Sequence, residues 1–191
     1  MKKGPRRSYR QTARAEAAQE TARRAMQAAF SLWREKDFDE ITLAEIADRA
    51  EITVQTLIRR FGSKQGLLEA CLAQSGNEVD LLRMQAPVGD VETAIAVLME
   101  HYERDGDAVL RTLALEQRSP AAAAITRHGR AEHRAWCERV FGPHLAGSKG
   151  AARAARLDAF VAATDIYLWK LWRLDLGRSP AQTKRAWSEL L

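Results

Sequence analysis

The sequence predicts an all-α protein. Apolar residues recur at helical intervals along most of the 191-residue chain, and no segment of useful length alternates apolar and polar residues as a strand does. Glycine and proline fall mainly where helices can end, as at Pro87, Pro120 and Gly177. Together these observations predict two helical domains, one over residues 14–72 and one over residues 75–191, preceded by a short N-terminal arm.

The first domain contains two short helices whose starts are marked in the sequence. Thr42 and Glu45 have the spacing of a capping box, in which each side chain binds the other residue's amide. Thr53 is the next expected N-cap, and Leu57 and Phe61 lie four residues apart on the inward face of the helix that it starts. Caps this close together force a sharp turn, which indicates a helix-turn-helix. Simple packing of a helical hairpin would give the same signals.

The second of these helices has an unusual polar face. At about 100° per residue, Gln55, Thr56 and Arg59 point away from Leu57 and Phe61. Gln and Arg are suited to bidentate contacts with adenine and guanine edges, and Thr and Lys are suited to phosphate oxygens. An ordinary solvated face would have the same composition. The candidate DNA-binding residues are Thr42, Thr53, Gln55, Thr56, Arg59, Arg60 and Lys64.

From about Arg14 to Leu72 the chain resembles the DNA-binding domain of the tetracycline-repressor-like (TetR) transcriptional regulators. The resemblance rests on the order of the two capped helices and on the phrases Phe38-Asp39-Glu40-Ile41-Thr42 and Phe61-Gly62-Ser63-Lys64. The chain departs from the family at Glu51, where a turn glycine is usual, and at Gly66, where a charged residue is usual. Ile58 and Arg60 replace the usual Tyr and His of the reading helix. Glu51 is strained if its φ is positive.

The charge of the chain is concentrated at its N-terminus. Residues 1–24 contain eight Lys and Arg residues but only two acidic residues, Glu16 and Glu20, whereas the net charge of the whole chain is +5. We therefore expect residues 1–13 to form a basic flexible arm beside the DNA-binding domain. Such an arm can enter the minor groove or lie along phosphates, or it can remain a solvated tail.

The remaining composition indicates a soluble cytoplasmic protein. No run of about 20 apolar residues could span a membrane. No apolar segment follows the basic N-terminus, so a secretory signal is not expected. Cys71 and Cys137 are too few and too far apart for a disulfide framework or a zinc site, and we expect two buried thiols.

The second domain is expected to contain helices near residues 91–104, 107–117, 120–141, 151–176 and 180–190. The helix over 151–176 carries two apolar stripes: Leu157, Val161, Thr164, Leu168, Leu171 and Trp172 form one, and Phe160, Tyr167 and Leu174 form the other. A helix that is apolar on two sides packs against its own domain and against a partner, or lies in a large monomeric core.

The resemblance implies that the last two long helices of each subunit pair in a dimer. The expected interface residues are Thr164, Leu168, Leu171, Trp172 and Trp187. It also implies a pocket for a small effector, with His101, Tyr102, His133, Trp136, Phe160 and Trp169 as its candidate lining. Aromatic residues at helical spacing are more often ordinary core.

We expect neither an enzyme nor a metal or cofactor site. The histidines lack metal-ligand spacing, and the chain has no nucleophile motif, phosphate-binding glycine loop or conspicuous carboxylate pair. The sequence thus favours a homodimeric regulator, acting as a repressor that leaves a palindromic operator when a small effector binds. Two other possibilities remain open. One is a helix-turn-helix regulator without a small-molecule ligand, and the other is a helical protein-interaction module with a basic arm.

Overall fold

The computed structural model describes the backbone of residues 5–74 and 78–191, and side chains from residue 15 onward. This part of the chain is helical and contains no strand, so the predicted all-α fold is confirmed. The chain divides into two compact units, residues 1–73 and residues 74–191, and each is described by itself.

The first unit contains four helices. They are α1 (Pro5–Glu35), α2 (Leu43–Arg49), α3 (Val54–Phe61) and α4 (Lys64–Ala73), with a short 3-10 helix (Phe38–Glu40) between α1 and α2. Their core is formed by apolar side chains from every helix: Ala25, Leu32, Trp33, Ile46, Leu57, Leu67 and Leu68 are buried. Because α1 packs against both α2 and α4, it holds the two ends of this small unit together.

Helix α1 begins within the segment that the sequence predicts to be an N-terminal arm. The helix begins at Pro5, so residues 5–13 of the expected arm are helical, and its flexibility stays a prediction. Arg, Gln and Ala are strong helix formers, and proline is well tolerated in a first helical turn. Residues 1–4 of the expected arm lie outside the described part of the chain.

The second unit contains six helices. They are α5 (Glu78–Met84), α6 (Val91–Leu115), α7 (Pro120–Val140), α8 (Gly150–Ala163), α9 (Ile166–Lys170) and α10 (Pro180–Leu190). The long helices α6 and α7 pack side by side, and the others pack around them. The core of this unit includes Leu98, Tyr102, Trp136, Cys137, Phe141, Trp169 and Trp187.

The single helix expected over residues 151–176 is wrong. Helix α8 ends at Ala163, and Asp165 starts α9 by accepting a hydrogen bond from the amide of Tyr167 at 2.9 Å. After α9 the chain continues as one π-helical turn, Leu171–Asp175. The break has a local cause, because an aspartate that binds a nearby amide starts a helix rather than continuing one. The apolar pattern continues through this break and conceals it.

The break expected between residues 104 and 107 is also wrong, because α6 passes through Gly106 without interruption. A Cβ atom at this position would lie 2.7 Å from two carbons of the Trp169 indole. Glycine therefore allows the ring of Trp169 to pack directly against the backbone of α6. Its role here is close packing, and it does not end a helix.

This explanation predicts opposite effects for two glycine substitutions. Gly106→Ala should destabilise the protein, because overpacking costs about 1–3 kcal/mol and exceeds the helix-propensity gain of about 1 kcal/mol. Gly129 is the matched control, since it lies within α7 and a Cβ there meets nothing within 4 Å. Gly129→Ala should therefore stabilise. Urea unfolding followed by circular dichroism measures both, and stabilisation by both substitutions would contradict the packing explanation.

Candidate nucleic-acid interface

Helix α2 begins in the capping box that the sequence predicts. The Thr42 hydroxyl accepts a hydrogen bond from the Glu45 amide at 3.2 Å, and the Thr42 amide donates to the Glu45 carboxylate at 2.8 Å. The Lys36 ammonium binds the same carboxylate. The bond from Lys36, followed by the bonds from Thr42, lowers the pKa of Glu45 to about 2. Glu45 therefore stays ionised near neutral pH and links the end of α1 to the start of α2.

The turn between α2 and α3 contains an unusual backbone conformation. Glu51 has a φ of 53°, which lies in the left-handed region of the backbone. This is the conformation expected at a position where the family usually has a glycine. A residue with a Cβ costs roughly 1–2 kcal/mol in this region. The Glu51 side chain lies 3.7 Å from Arg24 but is largely exposed, so this ion pair offsets little of the cost. The strain is therefore retained in a turn that sets the direction of α3.

Helix α3 presents its polar residues to solvent. Thr53 caps it, with its hydroxyl accepting from the Thr56 amide at 3.2 Å, and Leu57 anchors it in the core with 1% exposure. Gln55, Arg59 and Arg60 are exposed. With the side chains of residues 15–74 and 78–191, their side chains form no hydrogen bond or ion pair. The Thr53 and Thr56 hydroxyls lie 3.0 Å apart and bind each other.

Lys64 occupies a different position from the other candidate residues. Its ammonium donates to the backbone carbonyls of Asp39 and Ile41 at 3.0 and 2.6 Å, and it lies 4.8 Å from the centre of the Phe38 ring. Burial lowers the pKa of Lys64. Lys64 thus binds the connection between α1 and α2. Its expected contact with phosphate stays a prediction, and the sequence carried no signal for these carbonyl contacts.

Gly66 has a steric role that the sequence did not predict. A Cβ at this position would lie 2.0 Å from the carbonyl oxygen of Phe61, and the Gly66 amide donates to the Ser63 hydroxyl at 3.0 Å. The first turn of α4 can approach the end of α3 this closely only without a side chain at residue 66. Both ends of α3 therefore depend on specific backbone contacts.

The expected dimer residues are divided between core and surface. Thr164 and Trp187 are fully buried within the second unit, and the Trp187 indole donates to the Ala163 carbonyl at 2.7 Å. Leu168 and Trp172 are half-buried, whereas Leu171 is exposed. The large apolar side chains that are exposed in the C-terminal part of the unit are Tyr167, Leu171, Leu174, Leu176 and Leu190. We call these five residues the C-terminal apolar patch.

The six expected effector residues lie in a packed core with paired polar atoms. The Tyr102 hydroxyl donates to the Thr164 carbonyl at 2.9 Å, and the Trp169 indole donates to Glu103 at 2.8 Å. Phe160 stacks on Phe141 with ring centres 4.5 Å apart. These side chains contact one another directly. Their role in binding an effector stays a prediction.

Two of the six, His101 and His133, bind a buried arginine that sequence reasoning missed. The Arg83 guanidinium contacts Nδ1 of His101 at 3.1 Å and Nδ1 of His133 at 2.9 Å. Burial and the charge of Arg83 lower the pKa of His133 to about 3. The indole of Trp136 donates to the Arg83 carbonyl at 2.9 Å. A lone arginine in a short amphipathic helix has no sequence pattern that would reveal this environment.

The second unit also has an open groove of about 340 Å³ beside α6 and α10. It is lined by Gln85, Thr93, Ala96, Val97, Met99, Glu100, Glu103, Pro180 and Lys184. None of the six expected effector residues is in this lining. The groove combines apolar and charged side chains, whereas the expected pocket lining consists mainly of aromatic rings.

Comparisons with known proteins agree with the geometry of the first unit. Residues 25–71 match the family described as "Bacterial regulatory proteins, tetR family". Over 63 residues the chain is 40% identical to an uncharacterised HTH-type transcriptional regulator, YvkB, of Bacillus subtilis (strain 168). That match covers 32% of this chain, and the chain spans about a third, 33%, of the relative's length.

A solved structure extends the likeness to the second unit. The crystal structure of a tetR-family transcriptional regulator from Streptomyces coelicolor is similar with a TM-score of 0.62 at 17% identity. The similarity covers 90% of this chain and 80% of that chain. At this identity the likeness shows a shared fold. It therefore supports the architecture of both units without assigning a ligand.

The capped pair of helices α2 and α3 forms a helix-turn-helix of the kind found in DNA-binding regulators. The resemblance seen in the sequence is confirmed over residues 25–71, where the first unit matches the TetR family. In the described part of the chain, no helix has the length and apolar character needed to cross a bilayer.

Because Lys64 binds two backbone carbonyls, its replacement should destabilise the protein even when no DNA is present. Lys64→Met keeps an apolar stem beside Phe38 but removes both carbonyl bonds, and should lower the free energy of unfolding by on the order of 1–2 kcal/mol. Arg60→Met is the matched control, because Arg60 is exposed and has no such bonds. It should leave the unfolding free energy nearly unchanged. Equal stability of both variants in thermal or urea unfolding would mean that the Lys64 bonds do not support the fold.

Proposed function

We propose that this protein is a cytoplasmic transcriptional repressor that binds a palindromic DNA operator as a homodimer, with α3 of each subunit in the major groove. The observation that carries the proposal is the outward face of α3. Gln55 and Arg59 are exposed and lie four residues apart, opposite the buried Leu57. Both side chains can make bidentate hydrogen bonds with base edges.

The surroundings of this face support docking on DNA. Arg60 adds an exposed positive charge beside Arg59, where it can reach phosphate oxygens. Thr53 and Thr56 lie at the start of α3, with hydroxyl groups that can exchange their mutual bond for phosphate contacts. Thr42 lies at the start of α2, where its hydroxyl already caps the helix and could share a phosphate contact. The proposed division is base reading by Gln55 and Arg59, and phosphate contacts by the others.

The C-terminal apolar patch supports a second copy of the chain as partner. Four of its five residues lie within residues 167–176, and a group of exposed apolar side chains on a small protein often marks an interface. A symmetric dimer would repeat the patch on both sides and would match the two halves of a palindrome. Leu171 belongs to this patch, and the nearby Leu168 and Trp172 are half-buried. Thr164 and Trp187 would support the interface from inside the subunit.

Release by a small effector is the last part of the proposal. A ligand that binds one state of the dimer more tightly than the other shifts the population toward it, and DNA affinity changes by the same coupling free energy. The groove lined by Gln85, Glu100 and Lys184 is one open space that could hold such a ligand.

A second candidate function is a regulator that uses no small effector. It is favoured by the direct packing of His101, Tyr102, His133 and Trp136, whose polar atoms already have partners within the protein. In that case a protein partner or the concentration of the regulator itself would set operator occupancy. Thermal shift against a metabolite panel separates the two, since only an effector-binding protein should be stabilised by a ligand.

Selection of bound fragments from genomic DNA tests the base-reading assignment. Arg59→Ala should cost about 1–3 kcal/mol on the selected operator and relax base preference at one position in each half-site. Arg60→Ala is the matched control and should weaken all sequences similarly. Equal weakening of all sequences by Arg59→Ala would make Arg59 a phosphate contact. Absence of any sequence-selective retention would contradict DNA regulation and favour a protein-interaction module.

The dimer assignment predicts a folded monomer when a charge is placed in the patch. Leu171→Glu should dissociate the dimer, because an unpaired carboxylate in an apolar interface is costly. Since Leu171 is exposed within its own subunit, helicity should remain normal while operator affinity falls. Met84→Glu, at an exposed apolar residue of α5 outside the patch, should change neither property. Light scattering measures the oligomeric state, circular dichroism measures the helicity, and a binding titration measures the operator affinity of both variants. A Leu171→Glu dimer with normal operator binding would exclude the patch as the interface.

A further inference from the structure

Helix α3 carries an exposed apolar row beside its polar reading face. Val54 is 36% exposed and Ile58 is 45% exposed. They lie four residues apart, so their side chains occupy adjacent positions along one side of the helix. The neighbouring Leu57 is 1% exposed and holds the inward side of α3 in the core. The orientation of α3 therefore leaves two branched aliphatic side chains facing solvent.

The position of this row relates it directly to base reading. At about 100° per residue, Ile58 lies between the inward direction of Leu57 and the outward direction of Arg59. Val54 has the same relation to Gln55, one turn earlier. The exposed side of α3 thus consists of a hydrogen-bonding row, Gln55 and Arg59, and a parallel row that can make only apolar contacts.

The chemistry of the major groove provides one apolar group for such a row. Base pairs present hydrogen-bond donors and acceptors there, and thymine alone also presents its C5 methyl group. An isoleucine has no donor for phosphate oxygens, so Ile58 cannot make the hydroxyl contact that a tyrosine at this position would make. Its complementary surface on DNA is a methyl group close to the bases that Gln55 and Arg59 reach.

We propose that Ile58, with Val54 beside it, recognises a thymine methyl group in each half-site of the operator. This inference rests on the proposed function, since it requires α3 to enter the major groove. It adds a specificity element that is independent of hydrogen bonding, because an apolar contact recognises the C5 methyl group that thymine has and cytosine lacks. Burial of a methyl group between DNA and aliphatic side chains contributes the free energy.

The test replaces thymines of the selected operator by deoxyuridine, one position at a time. This change removes only the C5 methyl group and leaves the hydrogen-bonding pattern intact. At one thymine in each half-site, the affinity of the unmodified protein should fall about fourfold, and by about fifteenfold when both half-sites are changed. Other thymines should be insensitive to the replacement.

Two variants assign the effect to the apolar row. Ile58→Ala should bind the thymine and deoxyuridine operators with the same affinity, and circular dichroism should show that it remains folded, because Ile58 is exposed. Arg60→Ala, the control, should bind both operators more weakly but keep the difference between them. A thymine effect that persists undiminished in Ile58→Ala would overturn the inference.

The remaining outcomes separate this inference from the proposed function. Sequence-selective binding that no deoxyuridine replacement alters would overturn recognition of the methyl group and leave DNA binding in place. Absence of sequence-selective binding by the unmodified protein would overturn the proposed function, and recognition of thymine with it.

Discussion

The direction of α3 depends on the short connection between α2 and α3, in which Glu51 adopts a left-handed backbone conformation. The connection is confined between two hydrogen-bonded ends: the Ala50 amide donates to the Ile46 carbonyl at 2.9 Å, and the Ile52 amide donates to the Ala47 carbonyl at 2.9 Å. Thr53 then caps α3 at once. Because the turn is so short, its backbone conformation sets the orientation of α3. This orientation buries Leu57 and exposes Gln55 and Arg59.

The same geometry explains why the first unit can be small. Its helices α2 and α3 are too short to be stable alone, so their stability must come from capping bonds and from packing of α2 against α1 and of α3 against α2 and α4. Lys36 and Thr42 bind Glu45 at one point, and Lys64 binds the carbonyls of Asp39 and Ile41 at another. These contacts fix the backbone without using the exposed side chains of α3. Those side chains therefore remain available to bind DNA.

The second unit relies on a different principle, in which long helices are joined by buried polar contacts. Arg83 connects α5 to α6 and α7 through His101 and His133, and the Tyr102 hydroxyl binds the Thr164 carbonyl. In such a core each polar atom needs a partner, because burying an unsatisfied one costs about 1–3 kcal/mol. The C-terminal apolar patch, by contrast, is exposed surface that a second subunit could cover.

Local features of the structure were predictable from the sequence, and long-range ones were not. The caps at Thr42 and Thr53 involve residues only three positions away, so spacing alone revealed them. The packing of Trp169 on Gly106, and of Lys64 on the carbonyl of Asp39, joins residues far apart in the chain. The break at Asp165 was missed because a short-range cap competes with an apolar pattern that continues through it. Exposed Gln55 and Arg59 were predicted correctly as outward residues, while the exposed row of Val54 and Ile58 required the structure.

Methylation interference on the selected operator shows whether α3 enters the major groove. Dimethyl sulfate modifies guanine at N7 in the major groove and adenine at N3 in the minor groove, and bound and free fragments are then compared. If α3 lies in the major groove, interference should occur at guanine N7 in two symmetric half-sites, and the signal at one guanine in each should be lost in Arg59→Ala. Interference confined to adenine N3 would contradict entry of α3 into the major groove, because the protein would then bind this DNA through the minor groove.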